Sequence, residues 1–172
     1  RVMGMPVRVL HPERLPEGPC VVVANHASYL DGVVLFAALP PRFAFVIKRE
    51  MDAVPLANLL LRRIGAEFVE RGRTERGARD VRRLMKAARV GASVVFFPEG
   101  TFGREPGLLR FHAGAFVFAM RARLPVAPVA LRGTRRALPP QTPLPWPTRI
   151  EIEFLPPLAA PEGLEDDAAS RS

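Results

Sequence analysis

Two short apolar runs rich in β-branched residues, Cys20-Val21-Val22-Val23-Ala24 and Ser93-Val94-Val95-Phe96-Phe97, each break off into a polar turn. Runs of this kind read as buried parallel strands that lead into site loops. Around them strand and helix signals alternate. Strands are expected at Val7 to Leu10, Cys20 to Ala24, Phe43 to Ile47, Ala66 to Val69, Ser93 to Phe97, Val126 to Leu131 and, with period-two alternation, Ile150 to Phe154. Helices are expected at Ser28 to Leu39, Pro55 to Ile64, Thr74 to Arg89 and Gly114 to Arg123. The order implies an α/β fold: a single domain with a mostly parallel mixed sheet of about seven strands and helices on both faces. In the helix from Thr74 to Arg89, Ala78, Val81, Met85 and Ala88 form the apolar face, with Arg76, Arg79, Arg83 and Lys86 roughly opposite.

A chain of 172 residues, 48% of them hydrophobic, can bury a full core as one domain. We expect that domain over residues 1–155, with 156–172 a Pro-containing acidic tail, either flexible or the start of a further segment. The formal charge of +8 is almost all arginine, because Lys48 and Lys86 are the only lysines. That balance favours anionic partners such as phosphates or an acidic membrane surface. A basic nucleic-acid-binding domain is the rival reading of charge alone, but no recognition motif supports it and no nucleic acid is expected. Cys20 is the only cysteine and lies inside an apolar run, and His11, His26 and His112 lack ligand spacing. No metal or cofactor is expected. No apolar stretch approaches the roughly 18 residues of a membrane span.

The turns carry the chemistry. Asn25-His26-Ala27-Ser28-Tyr29-Leu30-Asp31 places an imidazole and a carboxylate five positions apart at a strand end. Ser28 to Asp31 fits a capping box, in which Asp31 only closes the helix start. From one turn into the helix, Asp31 can also reach back to His26, fix its tautomer and stabilise the imidazolium. Phe97-Pro98-Glu99-Gly100-Thr101 puts a carboxylate and a permissive glycine at the exit of the second run, which alone would be a plain strand-to-loop turn. Ser28 could serve as a nucleophile beside His26, but it lacks the Gly-x-Ser-x-Gly elbow.

Together, Asn-His-x-Ser-x-x-Asp and Phe-Pro-Glu-Gly-Thr resemble the signature pair of the glycerolipid acyltransferases, the 1-acylglycerol-3-phosphate acyltransferase family. Gly65 to Arg71, Lys48-Arg49-Glu50-Met51, Phe111 to Phe116 and Leu124 to Leu131 resemble further blocks, in the family's order. Two departures remove positive charge: Phe102-Gly103 follows Thr101 where Arg-Ser is common, and His112 stands where lysine is common.

The resemblance implies a glycerol-3-phosphate acyltransferase-like fold. His26, oriented by Asp31, would take the proton of a glycerol hydroxyl as it attacks an acyl thioester. Acyl-CoA or acyl-carrier protein would be the co-substrate, and a lysophosphatidate-like lipid, another lysophospholipid or an amino-acid lipid the acceptor. Oxyanion donors would be backbone amides near Ser28. Arg71, with Lys48, would hold the acceptor phosphate, and Glu99 would position the acceptor or brace its loop. Asn25, Ser28, Gly100 and Thr101 complete the expected substrate-binding set. The expected location is peripheral, at the cytoplasmic face of an anionic membrane.

Overall fold

The computed structural model describes residues 4–41, 43–48, 66–69, 75–103, 105–140, 142 and 144–160, with backbone only for 46–48, 66–69 and 75–80. Strands β1 (Val7–Leu10), β2 (Val21–Ala24), β3 (Phe43–Lys48), β4 (Ala66–Val69), β5 (Ser93–Phe96), β6 (Val126–Arg132) and β7 (Ile150–Phe154) form one sheet. Its seven strands lie in the order β1-β7-β6-β2-β5-β3-β4. All neighbours are parallel except β6 and β7, where Leu131 faces Ile152 across an antiparallel pair. Helices α1 (Leu30–Ala38), α2 (Glu75–Arg89), α3 (Gly114–Ala122) and the short α4 (Thr134–Ala137) complete the described elements, with a single 3₁₀ turn at Pro12–Arg14.

The unbroken valine run of β2 works because both faces of the strand are covered. Val22 and Ala24 point into one core with Phe45, Val95 and Val129, closed by Val34 and Leu35 of α1. Val21 and Val23 point into the other, with Val94, closed by Leu84 and Ala88 of α2 and by Ala115, Phe118 and Ala119 of α3. On α2 the buried stripe is Leu84 and Ala88 with Met85 beside it, whereas Val81, expected on that face, is exposed. Val81 shares a helical face with Leu84, Met85 and Ala88 by spacing, yet it is left exposed. The arginines Arg82 and Arg89 and Lys86 are exposed, as a solvated face requires.

The expected helix over 55–64, together with Arg71 and Thr74, lies outside the described residues. Packing also runs past the expected domain end at 155: Leu158 exchanges backbone hydrogen bonds with Val126, 3.0 and 2.8 Å long.

The chain order positions the site. From β2 the chain passes over one face, through α1, to β3 on one side of β2. From β5, which sits between β2 and β3, it passes over the opposite face, through α3, to β6 on the other side of β2. Connections that leave neighbouring strand ends in opposite directions open a crevice there, where α/β proteins bind ligands. The two turn motifs flank that crevice.

Gly133 turns the chain out of β6 at φ 88°, and a Cβ there would lie 2.2 Å from the Arg149 carbonyl oxygen. No small shift relieves a clash with backbone. Gly133→Ala is expected to cost about 2–4 kcal/mol of stability, from the left-handed φ plus the forced displacement. Chemical denaturation checks this; a loss below about 0.5 kcal/mol would show that the β6 exit repacks without strain.

Candidate active site

Residues Asn25 to Asp31 leave the sheet between β2 and α1, and every polar group there has to find a partner away from a strand ladder. Asp31, fully buried in the first turn of α1, supplies most of them. Its Oδ2 accepts hydrogen bonds from His26 Nδ1 at 2.9 Å, Ala27 N at 2.6 Å and Ser28 N at 2.8 Å. Its Oδ1 has no hydrogen-bond partner among the described residues. The capping pattern and the histidine contact therefore coexist on one oxygen, with Ser28 Oγ accepting from Leu30 N at 3.2 Å.

The two backbone donors mark Oδ2 as a carboxylate acceptor, so the His26 contact places the proton on Nδ1. The ring then presents Nε2 with its lone pair. The His26 ring stacks on Phe97, with centroids 4.5 Å apart, and Phe102 meets it edge-on at 4.6 Å. Tyr29 in turn packs edge-on against Phe102 at 4.9 Å. Two aromatic walls and a carboxylate hold the ring in one orientation, and its side chain is 20% exposed. The geometry is that of an imidazole whose tautomer and orientation are set by a carboxylate.

Glu99 enters from β5 and is 2% exposed. Its Oε1 accepts from His26 N at 2.7 Å, and its Oε2 accepts from Leu109 N at 2.6 Å. One carboxylate thus ties the backbone of the histidine to the loop that follows β5. Gly100, at φ 71°, closes the turn that aims Glu99 inward, its N–H donating to the Phe97 carbonyl at 3.0 Å.

Three residues of the expected substrate-binding set are engaged by the protein's own backbone, Glu99 in the loop-bracing role expected as its alternative. The Asn25 amide donates to the Leu131 carbonyl at 3.1 Å and accepts from Leu131 N at 2.7 Å, prolonging the pairing of β2 with β6 by one side chain. Ser28 is fully buried, and its hydroxyl donates to the Leu138 carbonyl at 2.9 Å, which removes it as a nucleophile for His26. Glu99 braces the loop, with an amide on each oxygen. The expected oxyanion donors also change. The amides of Ala27 and Ser28 already donate to Asp31, which takes those two out of the expected set near Ser28.

Gly100 and Thr101 reach the crevice edge, Thr101 exposed. Lys48 ends β3 opposite Val69 of β4, at that same sheet edge, and Arg71, two positions further along the chain, lies outside the described residues. Phe97, Phe102 and Arg135 were not singled out from sequence. Phe102 sits at a position where the chain departs from the family pattern, and that was its available signal. Arg135 of α4 donates to the Gly103 carbonyl at 2.9 and 2.6 Å and to the Glu105 carbonyl at 2.5 Å, fastening the loop that carries Phe102. Nothing within some thirty residues of that loop announces the contact.

Fold and site together define an α/β protein with one histidine–carboxylate pair in the crevice at its switch point. A family model described as Acyltransferase matches residues 6–132. The chain is 33% identical over 129 residues to the chloroplastic 1-acyl-sn-glycerol-3-phosphate acyltransferase BAT2 of Brassica napus, covering 74% of this chain and 37% of that protein. It is 35% identical over 128 residues to the human 1-acyl-sn-glycerol-3-phosphate acyltransferase beta, covering 73% and 46%. The lyso-ornithine lipid O-acyltransferase of Pseudomonas aeruginosa is 33% identical over 136 residues, covering 79% and 52%. The crystal structure of the 1-acyl-sn-glycerophosphate (LPA) acyltransferase PlsC from Thermotoga maritima superposes with a TM-score of 0.76 at 25% identity, covering 95% of this chain and 65% of that one. This chain belongs to the glycerolipid acyltransferase family. It spans about half or less of the length of the curated relatives it matches.

Replacing Glu99 with Gln sets an amide NH₂ against one of two backbone N–H groups. Glu99→Gln is expected to lose about 1–3 kcal/mol of stability, the cost of a buried donor left unmatched. Amide exchange is expected to quicken at both His26 and Leu109. Unchanged exchange at either residue would show that Glu99 does not join the two segments.

Proposed function

We propose that this chain transfers a fatty acyl group from an acyl thioester, acyl-CoA or acyl-carrier protein, to a glycerol hydroxyl of a lysophosphatidate-like acceptor. The observation that carries the reading is the 2.9 Å contact between His26 Nδ1 and Asp31 Oδ2, which orients the Nε2 lone pair. Nε2 takes the hydroxyl proton as the acceptor oxygen attacks the thioester carbonyl. The tetrahedral intermediate collapses, the C–S bond breaks, and the imidazolium returns its proton to the leaving thiolate. Asp31 stabilises the imidazolium between these steps. Burial of Ser28, with its hydroxyl donated to Leu138, supports direct transfer rather than an acyl-serine intermediate.

The acceptor class follows from the relatives' names, two of which specify 1-acyl-sn-glycerol-3-phosphate and one a lyso-ornithine lipid. Arg71, with Lys48, holds the acceptor's phosphate in this proposal, and Gly100 and Thr101 line the approach. The chain works peripherally at the cytoplasmic face of an anionic membrane. No described helix is long and apolar enough to cross one.

Assays with lysophosphatidate, glycerol 3-phosphate and lyso-ornithine lipid, against one long-chain acyl-CoA and one acyl-carrier-protein donor, are expected to show transfer that His26→Ala abolishes. Asp31→Asn is expected to cost on the order of 10² to 10⁴ in kcat, the scale of a general base and its orienter. If His26→Ala kept more than about a tenth of the rate, a barrier change of only about 1.4 kcal/mol, His26 would not be the base.

Arg71→Ala is expected to raise the acceptor KM strongly with the donor KM nearly unchanged, since one bidentate contact is lost on one substrate. Arg71→Lys recovers little, because a point charge does not reproduce the guanidinium fork. Equal effects on both substrates would instead assign Arg71 to folding.

A further inference from the structure

Of the thirteen large apolar side chains that the described residues leave exposed, five lie on two loops at the edge of the sheet that holds His26. Leu108, Leu109 and Phe111 lie on the loop leaving β5, and Leu144 and Trp146 on the loop leaving β6. These strands are the two neighbours of β2 and run parallel to it, so their exit loops flank the exit loop that carries His26. Leu108, Leu144 and Trp146 are 68%, 72% and 68% exposed, well beyond what solubility favours for such residues.

Both loops are held in place. Leu109 N donates to Glu99 and His112 N to the Pro98 carbonyl at 2.9 Å, while Trp146 N donates to the Ala137 carbonyl at 2.6 Å between two prolines. Apolar side chains on a pinned loop lose little freedom on docking. Charge follows one sign: Arg110, Arg136 and Arg149 are exposed on these loops, and Glu105 is the only acidic residue in 105–113 and 133–149.

We propose that these two loops form a docking surface for an anionic phospholipid bilayer. Leu108, Leu109, Phe111, Leu144 and Trp146 enter the headgroup–acyl boundary, and Arg110, Arg136 and Arg149 meet lipid phosphates. Trp and Phe favour that boundary because their rings are apolar with a polarisable or polar edge. A second copy of the chain is a poorer occupant, since a two-fold contact would set the same arginines against one another. The inference deepens the proposed function: its acceptor resides in a bilayer, and this surface presents the His26 crevice to it.

Trp146 is the chain's only tryptophan, so the unaltered protein reports on the surface directly. With vesicles of phosphatidylglycerol and phosphatidylcholine, Trp146 fluorescence is expected to shift to the blue and to be quenched by lipids brominated near the headgroup end of the acyl chain. Binding is expected to weaken with salt and with falling phosphatidylglycerol content. Leu108→Ser combined with Leu144→Ser is expected to lower the partition coefficient about tenfold or more, with an unchanged circular dichroism spectrum. Flotation with the vesicles but without Trp146 quenching would overturn the proposal, because another face then docks, and would leave the acyl-transfer reading standing. Failure to bind acidic vesicles at low salt would overturn it as well, as would a blue shift that depends on protein concentration without lipid. Quenching in a protein that transfers no acyl group would uphold the surface and sink the proposed reaction.

Discussion

One carboxylate oxygen organises the exit of β2. Asp31 Oδ2 gathers the imidazole of His26 and the amides of Ala27 and Ser28, three donors that would otherwise be stranded where the chain leaves the sheet for α1. A buried charge is costly unless it is hydrogen-bonded, and a turn of unpaired amides is costly unless it finds an acceptor. Each problem is the other's solution. The histidine therefore inherits its orientation from the same interaction that starts the helix.

Glu99 does for the backbone of His26 what Asp31 does for its ring. Its two oxygens take amides from segments far apart in sequence, joining the turn after β2 to the loop after β5. Asn25 adds a third tie, to Leu131 of β6. Glu99 and Asn25 thus fasten the central strand exit to both neighbours, Asp31 holds the turn to itself, and Phe97 and Phe102 enclose the ring between them. Those walls and ties leave the His26 ring a single packed orientation.

Much of this was legible in the sequence because the signals are local. Val21 to Ala24 and Ser93 to Phe96 are strands where unbroken apolar runs demanded burial on both faces, and the His26–Asp31 contact follows from five-residue spacing across a strand-to-helix turn. What could not be read depends on partners distant in sequence. The antiparallel pairing of β7 with β6 was not assigned, because alternation in Ile150 to Phe154 gives exposure but no direction. The backbone partners of Asn25 and Ser28 and the choice between the two roles open to Glu99 are not local, since a polar residue in a motif looks the same whether it faces a ligand or the backbone. Arg135 grips a loop some thirty residues earlier, a contact that no local pattern announces.

Chemistry and exposed apolar surface share one edge for a topological reason. In a sheet whose central strands run parallel, all their exits lie together, and the crevice between β2 and β5 is bordered by the loops of β5 and β6. Loops on that edge carry the turn residues that aim His26 and the leucines and tryptophan that face outward. Because Glu99 bonds both His26 N and Leu109 N, the apolar loop after β5 and the turn that carries His26 are joined through a single buried side chain. A force applied to Leu108 or Phe111 from outside has a two-bond route to the histidine backbone. In such an arrangement, the exposed face of the β5 loop and the turn that carries His26 are braced by the same buried carboxylate.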